Sequence, residues 1–104
     1  MMIQTGTLQL SSSNPIATTV DDFSTFEHVP FDTPFPEGSK VVVVPMVQTF
    51  KGPDTPGIRI GKVNTRGFHI RMNELVGYLN ESRKIYSDGL HNEETIGWIA
   101  FTVD

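Results

Sequence analysis

Thr95-Ile96-Gly97-Trp98-Ile99-Ala100-Phe101-Thr102-Val103, close to the end of the chain, decides the fold class. Side chains alternate across a strand with a period of two, so Ile96, Trp98 and Ala100 share one face while Ile99, Phe101 and Val103 share the other. Both faces are apolar. A strand of this kind belongs at the centre of a two-sheet packing or beneath a second subunit, and the sequence leads us to expect both.

Segments able to pair with it lie upstream. Lys40 to Phe50 holds four consecutive valines, Val41 to Val44, then Met46, Val47 and Phe50, residue types that suit a pleated, largely buried surface. Pro45 interrupts this run and predicts a bulge or an edge-facing position. Ile58, Ile60 and Val63 form a further strand, with Arg59 and Lys62 on its polar side and Gly61 at a bulge. Asn64-Thr65-Arg66-Gly67 then turns the chain into Phe68, Ile70 and Met72 pointing inward and His69 and Arg71 outward, a hairpin pattern.

Ile3 to Leu10 alternates loosely as a half-buried strand, and residues 11–27, rich in Ser, Thr, Asn and Asp with Pro15, read as a long loop. Val29 to Phe31 is a short strand leading into turn residues from Asp32 to Gly38. Between Glu74 and Asn92 two readings stand side by side. Leu75, Val76 and Leu79 are spaced for one or two helical turns, and an extended hairpin arm fits equally well. Short strands separated by turns, with no internal repeat, predict an all-β antiparallel sandwich occupying residues 1–104 as a single domain.

The 104 residues and 11.6 kDa suit one core, and 38% hydrophobic against 19% charged residues argues against a disordered chain. The absence of cysteine excludes disulfides, thiolate metal sites and a cysteine nucleophile. No apolar run approaches the ~18–20 residues that cross a bilayer. The opening Met1 to Gly6 lacks the basic residue and apolar core of a secretory leader, so no export signal is expected there. The net charge of −4 is unevenly spread. Residues 1–39 carry Asp21, Asp22, Glu27, Asp32 and Glu37 with no Lys or Arg, whereas every Lys and Arg falls in residues 40–104. No long basic stripe emerges, which argues against general nucleic-acid binding.

Catalytic patterns are missing: no G-x-S-x-G elbow, no phosphate-cradling glycine loop, no H-E-x-x-H. The chain is not expected to be an enzyme or to need a cofactor. The polar cluster Asp88-Gly89-Leu90-His91-Asn92-Glu93-Glu94 offers carboxylate and imidazole groups, but it lacks the alternating oxygen ligands of a calcium loop and reads as a solvated turn rather than a metal site.

One resemblance spans nearly the whole chain. Gln4-Thr5-Gly6, Val29-Pro30-Phe31 through Thr33-Pro34-Phe35, Val41 to Val44 with Gln48, Ile58-Arg59-Ile60, Gly67-Phe68 and Ile96-Gly97-Trp98-Ile99-Ala100 occur in the order seen in the H-type lectin domain, the module of snail agglutinin and discoidin. The stretch from Asp88 to Trp98 looks most like bacterial members. The resemblance implies a six-stranded antiparallel β-sandwich that assembles as a homotrimer, or as trimers stacked into a hexamer, and binds galactose or N-acetylgalactosamine glycans near subunit boundaries.

The same resemblance implies the site. Arg59 falls where the family places its sugar-contacting arginine, and a rigid fork of donors suits two neighbouring hydroxyl oxygens. Its bland alternative is a surface ion pair with an acid on the next strand. Asp21 or Asp22 stands for the acid that accepts from sugar hydroxyls, or caps a loop. Tyr86 falls where the family puts an aromatic beside the sugar, although extra residues between Met72 and Tyr86 rebuild that loop. His91 either bonds a sugar hydroxyl or braces the turn into the last strand, and bracing is favoured. Because a sandwich with altered loops can lose its sugar, a structural or adhesion module, such as a phage-fibre or surface-assembly component, is the alternative function.

Overall fold

The computed structural model describes residues 2–13, 20–76, 86–88 and 90–103. Among them the regular structure is entirely β: β1 (Ile3–Ser13), β2 (Glu27–Pro30), β3 (Lys40–Val47), β4 (Thr55–Asn64), β5 (Gly67–Val76), β6 (Tyr86–Asp88) and β7 (Leu90–Val103). All strand pairs are antiparallel. One sheet runs β1-β7-β3 and the other β2-β5-β4, with β6 also paired to β5. Because β4 occupies one side of β5 from Gly67 to Leu75, β2 and β6 must share the other side. Seven segments thus fill six strand positions, three in each sheet, and the two sheets form a β-sandwich.

The core lies where the inner faces meet. Phe68, Ile70 and Met72 of β5 are fully buried against Ile96 and Ala100 of β7, with Leu10, Val43, Phe31 and Phe35 closing the sides. Trp98 packs into the same core beside Phe31 and Phe68. The segment after β2 is held by backbone bonds to the β4–β5 turn, from the Phe31 N–H to the Arg66 carbonyl and from the Phe35 N–H to the Thr65 carbonyl, 2.9 and 2.8 Å. The amide of Gln4 clamps the same segment, donating to the Thr33 carbonyl and accepting from the Thr33 N–H.

The hairpin is as the sequence predicts. Asn64 pairs with Gly67 across a two-residue turn, the Asn64 amide oxygen accepts from the Arg66 N–H at 2.8 Å, and the register shifts between Gly61 and Asn64. Pro45 takes the edge alternative rather than the bulge. It stays in register opposite Trp98, because β3 borders its sheet on only one side and an edge strand can spare the missing N–H. The two readings of residues 74–92 resolve toward the extended one where the chain is described: β5 continues to Val76 and pairs with Tyr86–Asp88. Residues 77–85, which include Leu79 and most of the extra segment before Tyr86, lie outside the described residues.

The two faces of β7 behave differently. Ile96 and Ala100 are sealed within the chain, whereas Ile99 is 36% and Val103 41% exposed. Their neighbours across the outer face, Ile3, Val42, Val44 and Met46, are exposed as well, so the β3 side of this sheet surface is an open apolar patch, bordered on β1 by Thr5, Thr7 and Gln9 and at one end by Lys40.

Candidate functional site

The outer face of the other sheet is basic. Arg59 of β4 pairs directly with Arg71 of β5, and Gly61 pairs with His69 one step along the same face. The acidic loop preceding β2 folds over this surface. Asp21 adopts a left-handed backbone conformation, φ 60°, that redirects the chain. Next to it the Asp22 carboxylate accepts from the Ser24 N–H at 3.0 Å, and the Phe26 N–H donates to the Phe23 carbonyl at 3.1 Å, which closes a compact turn. Arg71 is 5% exposed beneath the loop and donates to the Thr25 hydroxyl. It points outward, as the alternation predicts, yet it is covered.

Loop and sheet enclose a cleft of about 210 Å³ lined by Val20, Asp21, Asp22, Phe23, Phe26, Arg59 and Ile60. Three of the five site residues anticipated from sequence, Arg59, Asp21 and Asp22, therefore border one space. Arg59 is exposed at its rim and makes no ion pair among the described residues; the residue across from it is another arginine, not an acid. Hydrogen bonds from the Ser24 hydroxyl and N–H hold the Asp22 carboxyl below the usual carboxylate range, and the charge of Arg71 adds to them. Both anticipated acids line the cleft, and the Asp22 carboxylate is ready to accept hydrogen bonds at neutral pH.

Phe23 and Phe26 were not anticipated. Their rings meet edge to face at 4.9 Å, and Phe23 lies so close to β4 that a Cβ on Gly61 would stand 2.2 Å from its ring. Two phenylalanines three residues apart in residues 21–26, otherwise Asp, Ser and Thr, were the available signal, since large aromatic rings in a polar loop call for a surface to pack on. A larger hollow of about 470 Å³ lies on the outer face of the β1-β7-β3 sheet, between Thr5, Thr7, Gln48 and the apolar Val44, Met46 and Ile99. It carries no charged group, so the smaller cleft is the better match to a polar ligand.

The remaining two anticipated residues lie elsewhere. Tyr86 pairs with Val76, at the end of β5 away from the cleft. His91 is buried: its Nε2 lies 2.5 Å from Glu94 Oε2 and its Nδ1 3.4 Å from Glu74 Oε2. Glu94, 2% exposed, also accepts from the Lys51 N–H and the Thr49 hydroxyl, which fastens the β3–β4 loop to β7. Burial pushes the Glu94 carboxyl up, but the bonds from His91, Lys51 and Thr49, together with the charge of His91, outweigh it and leave the carboxyl below its ordinary value. The contacts of Glu94 lie within β7 and join it to the β3–β4 loop, so the stretch from Leu90 to Glu94 is strand rather than the solvated turn expected. Among the described residues no group of three or more His, Asp and Glu is placed to hold a metal ion. No family model, curated protein or solved structure matches the chain.

Proposed function

We propose that this protein is a carbohydrate-binding, lectin-like module that takes galactose or N-acetylgalactosamine glycans in the cleft beneath the acidic loop and works as a multivalent homo-oligomer. One observation carries this reading: Arg59, Asp21 and Asp22 border the same small space as the rings of Phe23 and Phe26. A pyranose needs planar donors and acceptors for its hydroxyls and an apolar surface for its C–H face, and these five residues offer both. The cleft pairs no nucleophile with a base, so binding without chemistry is the function proposed for it. A second copy of the chain is the proposed occupant of the open face of the β1-β7-β3 sheet, whose centre of Val44, Ile99 and Met46 is uncharged and matches itself. Several sites on one rigid particle would then bind clustered glycans tightly although each alone is weak.

A glycan array probed with the intact protein is expected to give signal on terminal galactosyl or N-acetylgalactosaminyl ligands, lost in Arg59→Ala. An array blank across both classes overturns the reading. The open apolar face also favours a second function, a structural or adhesion module that assembles without sugar. That function predicts a stable oligomer that survives Arg59→Ala, and a monomer by light scattering would remove it.

A further inference from the structure

Next to the cleft, His28 of β2 and His69 of β5 are direct cross-strand partners whose rings stack at 4.8 Å between centroids, tilted by 34°. His28 is exposed and His69 half-buried. The edge of Phe23 rests on His69 at 6.1 Å, and Phe23 in turn carries Phe26. The two imidazoles therefore stand directly behind the aromatic wall of the cleft. We propose that the His28–His69 pair is an acid-sensitive latch: with both rings neutral the stack holds the Phe23–Phe26 wall in place, and protonation pushes the rings apart and loosens the loop over residues 20–26. The proposal rests on the reading of the cleft as a ligand site, whose regulation it would be.

The surroundings give protonation its effect. Lys62 of β4 sets its ammonium 5.1 Å from the Phe23 ring, Arg71 follows two positions along β5 on the same face, and His28 is the second member of the stack. Glu27, next to His28, pairs with Ile70 on the opposite face of the sheet. Among the described residues Asp21 and Asp22 bring the negative charge to this side, and Asp22 already accepts from Ser24. A proton gained here adds charge to a cationic surface. His69 Nδ1 is also buried without a hydrogen-bond partner, so an N–H formed there would find no acceptor. Burial, His28 and Lys62 accordingly lower the pKa of His69. A histidine with a lowered folded pKa stabilises the closed arrangement fully above the ordinary histidine value, about 6.5, and that stabilisation is lost as pH falls toward the folded value.

The test uses amide hydrogen exchange on the ligand-free protein, with rates corrected for the intrinsic pH dependence. The Phe26 amide, bonded to the Phe23 carbonyl, reports the loop, and the Phe68 and Ile70 amides report the core. Between pH 7.5 and 5.0 the Phe26 protection factor is expected to fall by roughly tenfold with the core amides unchanged. His69→Gln is expected to abolish the fall. His28→Gln, at an exposed position that leaves folding intact, removes one of the charges that oppose protonation of His69 and is expected to move the fall to higher pH. Unchanged Phe26 protection, loosening of loop and core together, or a full fall retained in both variants would overturn the latch. Because no sugar is present, a blank glycan array leaves this result readable, and a failed latch leaves the lectin reading standing.

Discussion

The indole of Trp98 occupies the space that a side chain on Gly6 would need. The two residues face each other in the β1–β7 ladder, and a Cβ on Gly6 would stand 2.5 Å from the indole Cζ2. Trp98 is hemmed in on its far side by Phe31 and Phe68, at 5.7 and 5.4 Å between ring centroids. Gly6→Ala is therefore expected to lower the unfolding free energy by about 1–3 kcal/mol, the usual cost of overpacking. The measurement is a urea midpoint that drops at constant m value. A variant as stable as the parent would mean that the indole moves aside freely.

What the sequence reveals of this molecule follows the range of the interactions involved. Phe68, Ile70 and Met72 alternate with His69 and Arg71 because a strand has two sides, and that signal is local. Pro45 leaves bulge and edge open, because only the pairing of β3 with a single neighbour decides between them. Arg71 shows the same limit. Period two places it on the outer face, but it is buried by a loop more than forty positions earlier in the chain, through contact with Thr25. The charge asymmetry carries more than it first indicates, since the acid-only region supplies Asp21 and Asp22 to a sheet face bearing Arg59 and Arg71. Phe23 and Phe26 are invisible to periodicity because a loop has none.

Arg59 separates binding from stability. It is exposed and lies opposite Arg71, and like charges across an antiparallel pair repel. Arg59→Ala should leave thermal stability within about 0.5 kcal/mol of the parent, or raise it slightly. The affinity for N-acetylgalactosamine should drop by at least about tenfold, as expected for removing a charged hydrogen-bond donor. Arg59→Lys keeps the charge but not the fork and should recover only part of the affinity. An NMR shift titration alongside a melting curve reads both quantities. Equal affinity in parent and Arg59→Ala would remove the guanidinium from the site.

Gly61 and Phe23 should be energetically coupled. A methyl group on Gly61 would meet the Phe23 ring at 2.2 Å, so Gly61→Ala must displace the ring or shift the strand. We expect Gly61→Ala to cost about 1–3 kcal/mol and to weaken ligand binding. In the double variant with Phe23→Ala the methyl group has room, so the two costs should fall short of additive by more than about 0.5 kcal/mol. Additive costs in a double-mutant cycle would show that the ring does not bear on Gly61 in solution.

Glu94 should set part of the acid limit of the fold. Its carboxyl ionises below the ordinary glutamate value, because the donors from His91, Lys51 and Thr49 outweigh burial. A carboxyl with a lowered folded pKa stabilises fully above the unfolded value, about 4.3, and that contribution is lost as pH falls through the folded value. The parent should therefore lose stability in acid below about pH 4.3 more steeply than Glu94→Gln. At pH 7 the variant should be less stable by about 1.5–3 kcal/mol, having lost charged hydrogen bonds to buried partners. Urea denaturation at pH 7, 5, 4 and 3 makes the comparison, and parallel profiles would assign the acid loss to other carboxylates.

The open face of the β1-β7-β3 sheet offers a way to separate avidity from affinity. Val44 and Met46 are 47% and 63% exposed, and neither contributes to the cleft at Arg59, which lies on the opposite sheet. A charge placed there costs little in a single chain, whose outer face is already wet, but it would be buried without a partner wherever two copies meet. Val44→Lys and Met46→Glu are therefore expected to keep the parent melting temperature at high dilution and to shift the species seen by light scattering to the monomer. If the module is multivalent, binding to a dense galactosyl surface should then fall by roughly a hundredfold or more while the single-site affinity in solution stays unchanged. A parent protein that is already monomeric, or a variant that keeps its surface binding, would show that this face does not assemble the particle.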